Sequence, residues 1–262
     1  MPSLRYYQVE PIAELAAYVE NLWIISTELI GTLNQHWVMP ELGVNITLCG
    51  HSWSAFDRSF FLGPSNRCFF RPAMASELFL GIRLKAGASL TLLGCDGEEI
   101  SHRVGFCEEL VGRRAQHLLE RVNEAGQPLA ALMAVQDELK SWIRTPLTRC
   151  YAVEQAVEAI HETAGKARLN RITDDLMSER HLRRQFKSLL GLSPKDYAQV
   201  VRLQALETLL LRSLETRRSI SWSQIAARLG FVDQSHFIRE FRRISGNTPT
   251  QYLQYLHSVR TW

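Results

Sequence analysis

The chain has 262 residues, 46% hydrophobic and 22% charged, enough apolar material for one large core or two ordinary ones, and no run of 18 apolar residues of the kind a membrane-spanning helix needs. Its net charge of +3 conceals a split. Residues 1–167 carry 14 Lys and Arg against 19 Asp and Glu (net −5), and residues 168–262 carry 16 against 8 (net +8), so a polyanionic partner suits the C-terminal part alone.

The first residues, MPSLRYYQVEP, lack the apolar stretch of a signal peptide, and a cytoplasmic location is expected. Short strands are predicted at Tyr6–Val9, Leu22–Ser26, Val44–Leu48, Phe60–Leu62, Cys68–Phe70 and Leu78–Leu84, with a turn or two of helix over Ala13–Val19. Turn signals at Glu41-Leu42-Gly43 and Gly63-Pro64 separate them. Many short strands between Gly/Pro turns indicate a small β-barrel or sandwich. Helical periodicity then takes over at Leu110–Val122 and, after the Gly126–Pro128 break, at Leu129–Ile143. That pair either covers its own sheet or forms a dimer seam. Thr145-Pro146 marks the boundary, because proline biases its predecessor away from helix. Two domains result, 1–146 and 147–262.

Cys49, Cys68, Cys95, Cys107 and Cys150 are odd in number, lack CxxC spacing and precede the basic region. They read as small buried side chains in a reducing compartment, with redox or metal sensing as the other reading. Cys68, beside Arg67, is the thiol weighed for the basic setting that an alkyl-acceptor role would need. A metal-dependent enzyme or sensor would draw on His36, His51, His102 and Glu41, but their spacing is open, and HExxH, GxSxG and P-loop motifs are missing. No cofactor is implied, and the chain is not expected to be an enzyme.

Cys150–Thr163 opens the C-terminal part as an amphipathic helix ended by Ala164-Gly165-Lys166. Ser178 is placed to cap a helix with Leu182 and Phe186 beneath, and Glu179, Arg180, Arg183, Gln185 and Lys187 outward. Ser193-Pro194 starts a linker helix to about Leu211. Ser219 or Ser221 then starts a short helix carrying Ile225, Ala226 and Leu229, with Trp222 packing. After Gly230, Asp233 caps a last helix with Phe237 and Phe241 on one face and Gln234, Ser235, His236, Arg239, Arg242 and Arg243 on the other. One pattern occurs twice, 55 residues apart: Leu182, Arg184, Phe186, Gly191, Ser193, Pro194 and Tyr197 match Phe237, Arg239, Phe241, Gly246, Thr248, Pro249 and Tyr252. This is two helix-turn-helix units, each with an apolar underside and a top offering donors to phosphates and base edges.

The phrases GLSPKDY (Gly191–Tyr197) and IAARLGFVDQSHFIREFRRISGNTP (Ile225–Pro249) resemble those of the AraC-type transcriptional regulators, a likeness that covers about Tyr151 to Tyr255. The first unit departs from that pattern: Asp175 stands opposite Gly230, and Ile172 is one residue out of step with Ala226. PELGVNITLCG (Pro40–Gly50) and GIRLKAGASLTLLG (Gly81–Gly94) resemble N-terminal segments of such regulators, the second where a strand leaves the sheet for a helix. The resemblance implies an α+β chain: a cupin-like sensing or interaction domain with a helical pair, then an all-α domain of two helix-turn-helix units on a linker helix. It implies double-stranded DNA as partner, with room for a small-molecule effector, RNA polymerase and a homodimer, and no membrane. Base readout falls to Glu179, Arg180, Arg183, Gln234, Ser235 and His236, and phosphate contact or packing to Arg184 and Arg239. A metal-dependent cupin-type enzyme or sensor, or an interaction protein that no longer reads DNA, stand as the other readings.

Overall fold

The computed structural model describes residues 4–27, 35–72, 78–167, 177–216 and 220–260. The N-terminal part is built on a six-stranded antiparallel sheet in the order β1-β2-β7-β4-β5-β8. Its strands are β1 Leu4–Val9, β2 Val19–Thr27, β4 Asn45–Gly50, β5 Phe56–Leu62, β7 Leu78–Leu84 and β8 Val104–Phe106. A separate two-stranded ribbon pairs β3 Gln35–Val38 with β6 Phe69–Pro72. The sheet does not close, so the expected barrel is an open sheet with a ribbon beside it.

Side chains alternate across a strand, and the register lines up apolar residues in rows. Leu22, Ile82 and Ile46 form one row across β2, β7 and β4, and Ile24, Leu80 and Leu48 the next. All six are buried in one core, each worth about 1.5–3 kcal/mol relative to exposure. On the opposite face the Trp23 ring lies across Gly81, where a Cβ would stand 1.8 Å from it.

The predicted helical pair covers the core face. The first helix breaks at Gly112 into α3 (Glu108–Val111) and α4 (Arg113–Ala125), and the second is α5 (Pro128–Trp142). Two side chains tie the pair to the rest: Asn123 brackets Phe56, accepting from its N–H at 2.7 Å and donating to its carbonyl at 2.8 Å, and Gln136 accepts from the Ile12 N–H at 2.7 Å. As expected, β7 leaves the sheet into a helix, α1 (Ser89–Leu93), followed by α2 (Gly97–Ile100).

The C-terminal part has two smaller cores. One gathers Ile160, Leu182, Phe186 and Tyr197, the other Leu210, Ala226, Phe237, Phe241 and Tyr252. The 23-residue linker helix Pro194–Thr216 belongs to both, with Tyr197, Val200 and Val201 in the first and Leu203, Leu206 and Leu210 in the second. It runs five residues beyond the expected end, since no breaker follows Leu211.

Candidate nucleic-acid interface

Each unit presents one reading helix, Glu179–Leu190 in the first and Gln234–Ser245 in the second. Both start as predicted. Ser178 accepts from the His181 N–H at 3.3 Å, and Asp233 from the His236 N–H at 2.7 Å, satisfying amides that a helix start leaves orphaned. Both end on a glycine in the left-handed region, Gly191 at φ +76° and Gly246 at φ +75°, a geometry any Cβ would strain. The repeat extends into the following caps. Ser193 Oγ accepts from the Asp196 N–H, and Thr248 Oγ1 from the Gln251 N–H. The 55-residue pattern is thus a pattern of helix beginnings and ends.

The undersides are anchored by aromatic rings. Phe186 meets Tyr197 edge-on at 5.6 Å, and Phe241 meets Tyr252 at 5.8 Å, again at matching positions. Trp222 stacks on Phe237 at 6.1 Å and so packs, as expected. The short helix Trp222–Arg228 is capped by Ser221, and Gly230 takes φ +76°. Ile172, Asp175 and Ser219 lie outside the described residues.

The outward set is exposed: Ser178, Glu179, Arg180, Arg183, Arg184 and Lys187 on the first unit, and Gln234, Ser235, Arg239, Arg242 and Arg243 on the second. His236 differs. It is half-buried, its ring edge-on to Phe231 at 5.5 Å. Three cations are engaged within the protein. Arg184 contacts the His181 ring at 3.1 Å, Arg243 pairs with Glu240 at 3.0 Å, and Lys187 lies 3.6 Å from Glu98 of α2. The Arg243 guanidinium holds the Glu240 carboxyl below its usual range.

The Lys187 contact belongs to an interface that sequence reasoning missed. Asn66 donates to Asp196 at 2.7 Å, and Ser188 to Asp96 at 3.2 Å. Gly97 meets the first reading helix so closely that a Cβ would stand 2.5 Å from the Gly191 nitrogen. Trp37 of the ribbon stacks on Tyr252 at 5.4 Å and Tyr255 at 5.2 Å, and the Cys68 N–H donates to the Ile244 carbonyl at 3.1 Å. The N-terminal domain therefore touches both units. No local pattern signals such contacts, apart from the acidic run at Asp96, Glu98 and Glu99.

The metal and thiol readings find little support. Among the described residues no three His, Cys, Asp or Glu side chains gather as a metal site. The His36 side chain lies outside the described residues, His51 is exposed, and His102 Nδ1 sits 3.1 Å from Ser65 Oγ. Cys49 and Cys107 are buried. Burial pushes the Cys107 and Cys68 thiols up to about 12 and Cys95 to about 11, opposite to the direction a nucleophilic thiolate needs. Cys68 lies 3.6 Å from the Met39 sulfur, and burial and Glu207, with no contribution from Arg67, raise its thiol pKa.

A family model described as a helix-turn-helix domain matches residues 176–255, the stretch that holds both reading helices. The chain carries an AraC-type helix-turn-helix domain. LumQ of Photobacterium leiognathi, named a probable transcriptional regulator, is 39% identical over 67 residues, covering 26% of this chain and 25% of its own. RhaR of Yersinia pseudotuberculosis, named an HTH-type transcriptional activator, is 34% identical over 103 residues, covering 39% and 32%. The chain thus spans a quarter to a third of the length of these relatives. Outside the AraC-type domain, a model described as a domain of unknown function matches residues 7–105. The structure of ToxT from Vibrio cholerae is 14% identical, covering 96% of this chain and 97% of that one at a TM-score of 0.47. No helix among the described residues is long and apolar enough to cross a membrane.

Proposed function

We propose that the protein is a sequence-specific DNA-binding transcriptional regulator. Residues 147–262 form its reading domain and residues 1–146 a domain that modulates it. The observation that carries this is the second reading helix, whose Phe237 and Phe241 are buried while Gln234, Ser235, Arg239 and Arg242 stand exposed on a capped helix. In this reading Gln234, Ser235, Arg180, Arg183 and Glu179 approach base edges, His236 reaches a phosphate or stays packed, and Arg184, Lys187, Arg239, Arg242 and Arg243 serve the backbone. Two reading helices on one rigid linker address two major-groove segments about one turn, ~34 Å, apart.

Modulation runs through the interface. Glu98 holds Lys187, and the Trp37 stack holds the second unit, so a change in the N-terminal domain alters both how the units sit and how much charge they offer. A small-molecule effector, a second copy of the chain or RNA polymerase, all in the cytoplasm, are the partners through which such a change would act.

The experiment is fluorescence anisotropy of the full chain on its own upstream DNA and on a scrambled duplex across a salt series. Tighter binding to the upstream duplex that weakens with salt, as released counterions require, is the expected result. Equal binding to both at every salt concentration would refute specific reading.

A further inference from the structure

Two reading helices seated in successive major-groove segments have one minor groove between them. The phosphate rows flanking that groove face whatever protein surface separates the helices. Here that surface is a polar cleft of about 480 Å³. Arg183 comes to it from the first unit, Lys195, Asp196 and Arg202 from the linker helix, and Glu240 and Arg243 from the second unit.

The charges in the cleft are unequally used. Asp196 accepts from Asn66 and from the Ser193 hydroxyl. Glu240 is paired with Arg243 at 3.0 Å and accepts from Gln199 at 3.4 Å. Both carboxylates are therefore satisfied by protein partners. Arg183 and Lys195 are exposed, and neither forms a salt bridge among the described residues. Arg202 lies over the Phe231 ring at 5.0 Å and donates to the Gly165 carbonyl at 2.6 Å. It too lacks a carboxylate within salt-bridge distance among the described residues, and its buried Nε has no acceptor there. Four cations stand against two carboxylates, a surplus of two, with Arg183, Lys195 and Arg202 the three that have no carboxylate partner among the described residues, and Lys195 also stands in the first turn of a long helix, where the helix dipole favours an anion.

We propose that this cleft seats the sugar–phosphate backbone flanking the minor groove between the two major-groove segments. Lys195 contacts the phosphates, Arg202 supplies positive field from the floor, and Arg183 stands at the edge of the cleft on the first reading helix. The inference rests on the regulator reading and deepens it. These contacts position both units on the duplex at once and carry no sequence information.

The test begins by selecting the preferred duplex with the full-length wild-type chain from a random pool. Affinity is then measured across salt for wild type, Lys195→Ala and, as a control on the N-terminal domain, Lys140→Ala. Lys195→Ala is expected to bind about tenfold more weakly at low salt, as for a lost charged contact. Its sequence preference should be unchanged, and its slope of log affinity against log salt shallower by about 0.9. Lys140→Ala should match wild type. Ethylation of phosphates between the two segments should block wild-type binding. An unchanged slope and affinity in Lys195→Ala, or ethylation interference confined to the two major-groove segments, would overturn the cleft while leaving the regulator standing. A changed sequence preference in Lys195→Ala would make it a base reader and overturn the inference as well. If wild type selects no preferred duplex, the regulator reading fails and the cleft with it.

Discussion

Gln234 is the first residue of the second reading helix, exposed beside the Asp233 cap and the exposed Val232. A helix start is the part that reaches base edges, and glutamine can pair bidentately with adenine. Gln234→Ala is expected to change sequence preference at one base position, at roughly 1–3 kcal/mol of discrimination, read by site selection with wild type and variant side by side. Identical selected sites would remove Gln234 from the reading set. His236 is expected to work beside it, and its ring stands edge-on to Phe231 at 5.5 Å. The sequence shows that a histidine lies near the helix start. It does not show that the turn folds a phenylalanine back against it, since that depends on where Gly230 sends the chain.

At the scale of elements, the units stand or fall with their aromatic undersides. Phe237 is 1% exposed and touches Trp222, Phe231 and Phe241. Phe237→Ala leaves a cavity in the core of the second unit and should cost about 3–5 kcal/mol, seen in chemical denaturation as loss of the second unit at lower denaturant. A loss under 1 kcal/mol would mean that the unit is held mainly by its neighbours. Elements with strong boundary chemistry were the most legible from sequence. The second reading helix starts after Asp233 as predicted, because caps act over three or four residues, and it ends before Gly246. The expected helix Leu110–Val122 is broken at Gly112. Its apolar periodicity continues across the break, and periodicity alone does not reveal the interruption.

At the scale of the whole molecule, the two halves meet over a buried carboxylate. Glu41 lies in the N-terminal domain, 2.9 Å from Arg83, with Glu20 nearby and Glu207 of the linker helix facing it. Burial raises its pKa to about 7, outweighing the attraction of Arg83 and reinforced by the two glutamates, with Asn45 opposing as a donor. A folded-state pKa above the ordinary 4.5 means that the folded chain keeps a proton the unfolded chain has released. Stability is then full below pH 4.5 and falls as pH rises to about 7, by on the order of 3 kcal/mol. Glu41→Gln should flatten that part of the pH–stability curve, measured by thermal melts from pH 4.5 to 8. A variant as steeply pH-dependent as wild type would place the dependence elsewhere.

What the sequence determined by itself was local and repeated: the two reading helices, their caps, their terminal glycines and the basic face they share. These follow from interactions within a few residues, and the 55-residue repeat shows them twice. It also revealed most strands, because a half-buried strand writes its alternation into the chain. Only the tertiary structure decided that the sheet stays open, that α2 and Trp37 reach across to both units, that Lys187 is shared with Glu98, and that Lys195, Arg183 and Arg202 meet in one cleft. Most of those facts join residues from 12 to more than 200 positions apart. Such pairings depend on how whole elements pack, and no short-range chemistry records them.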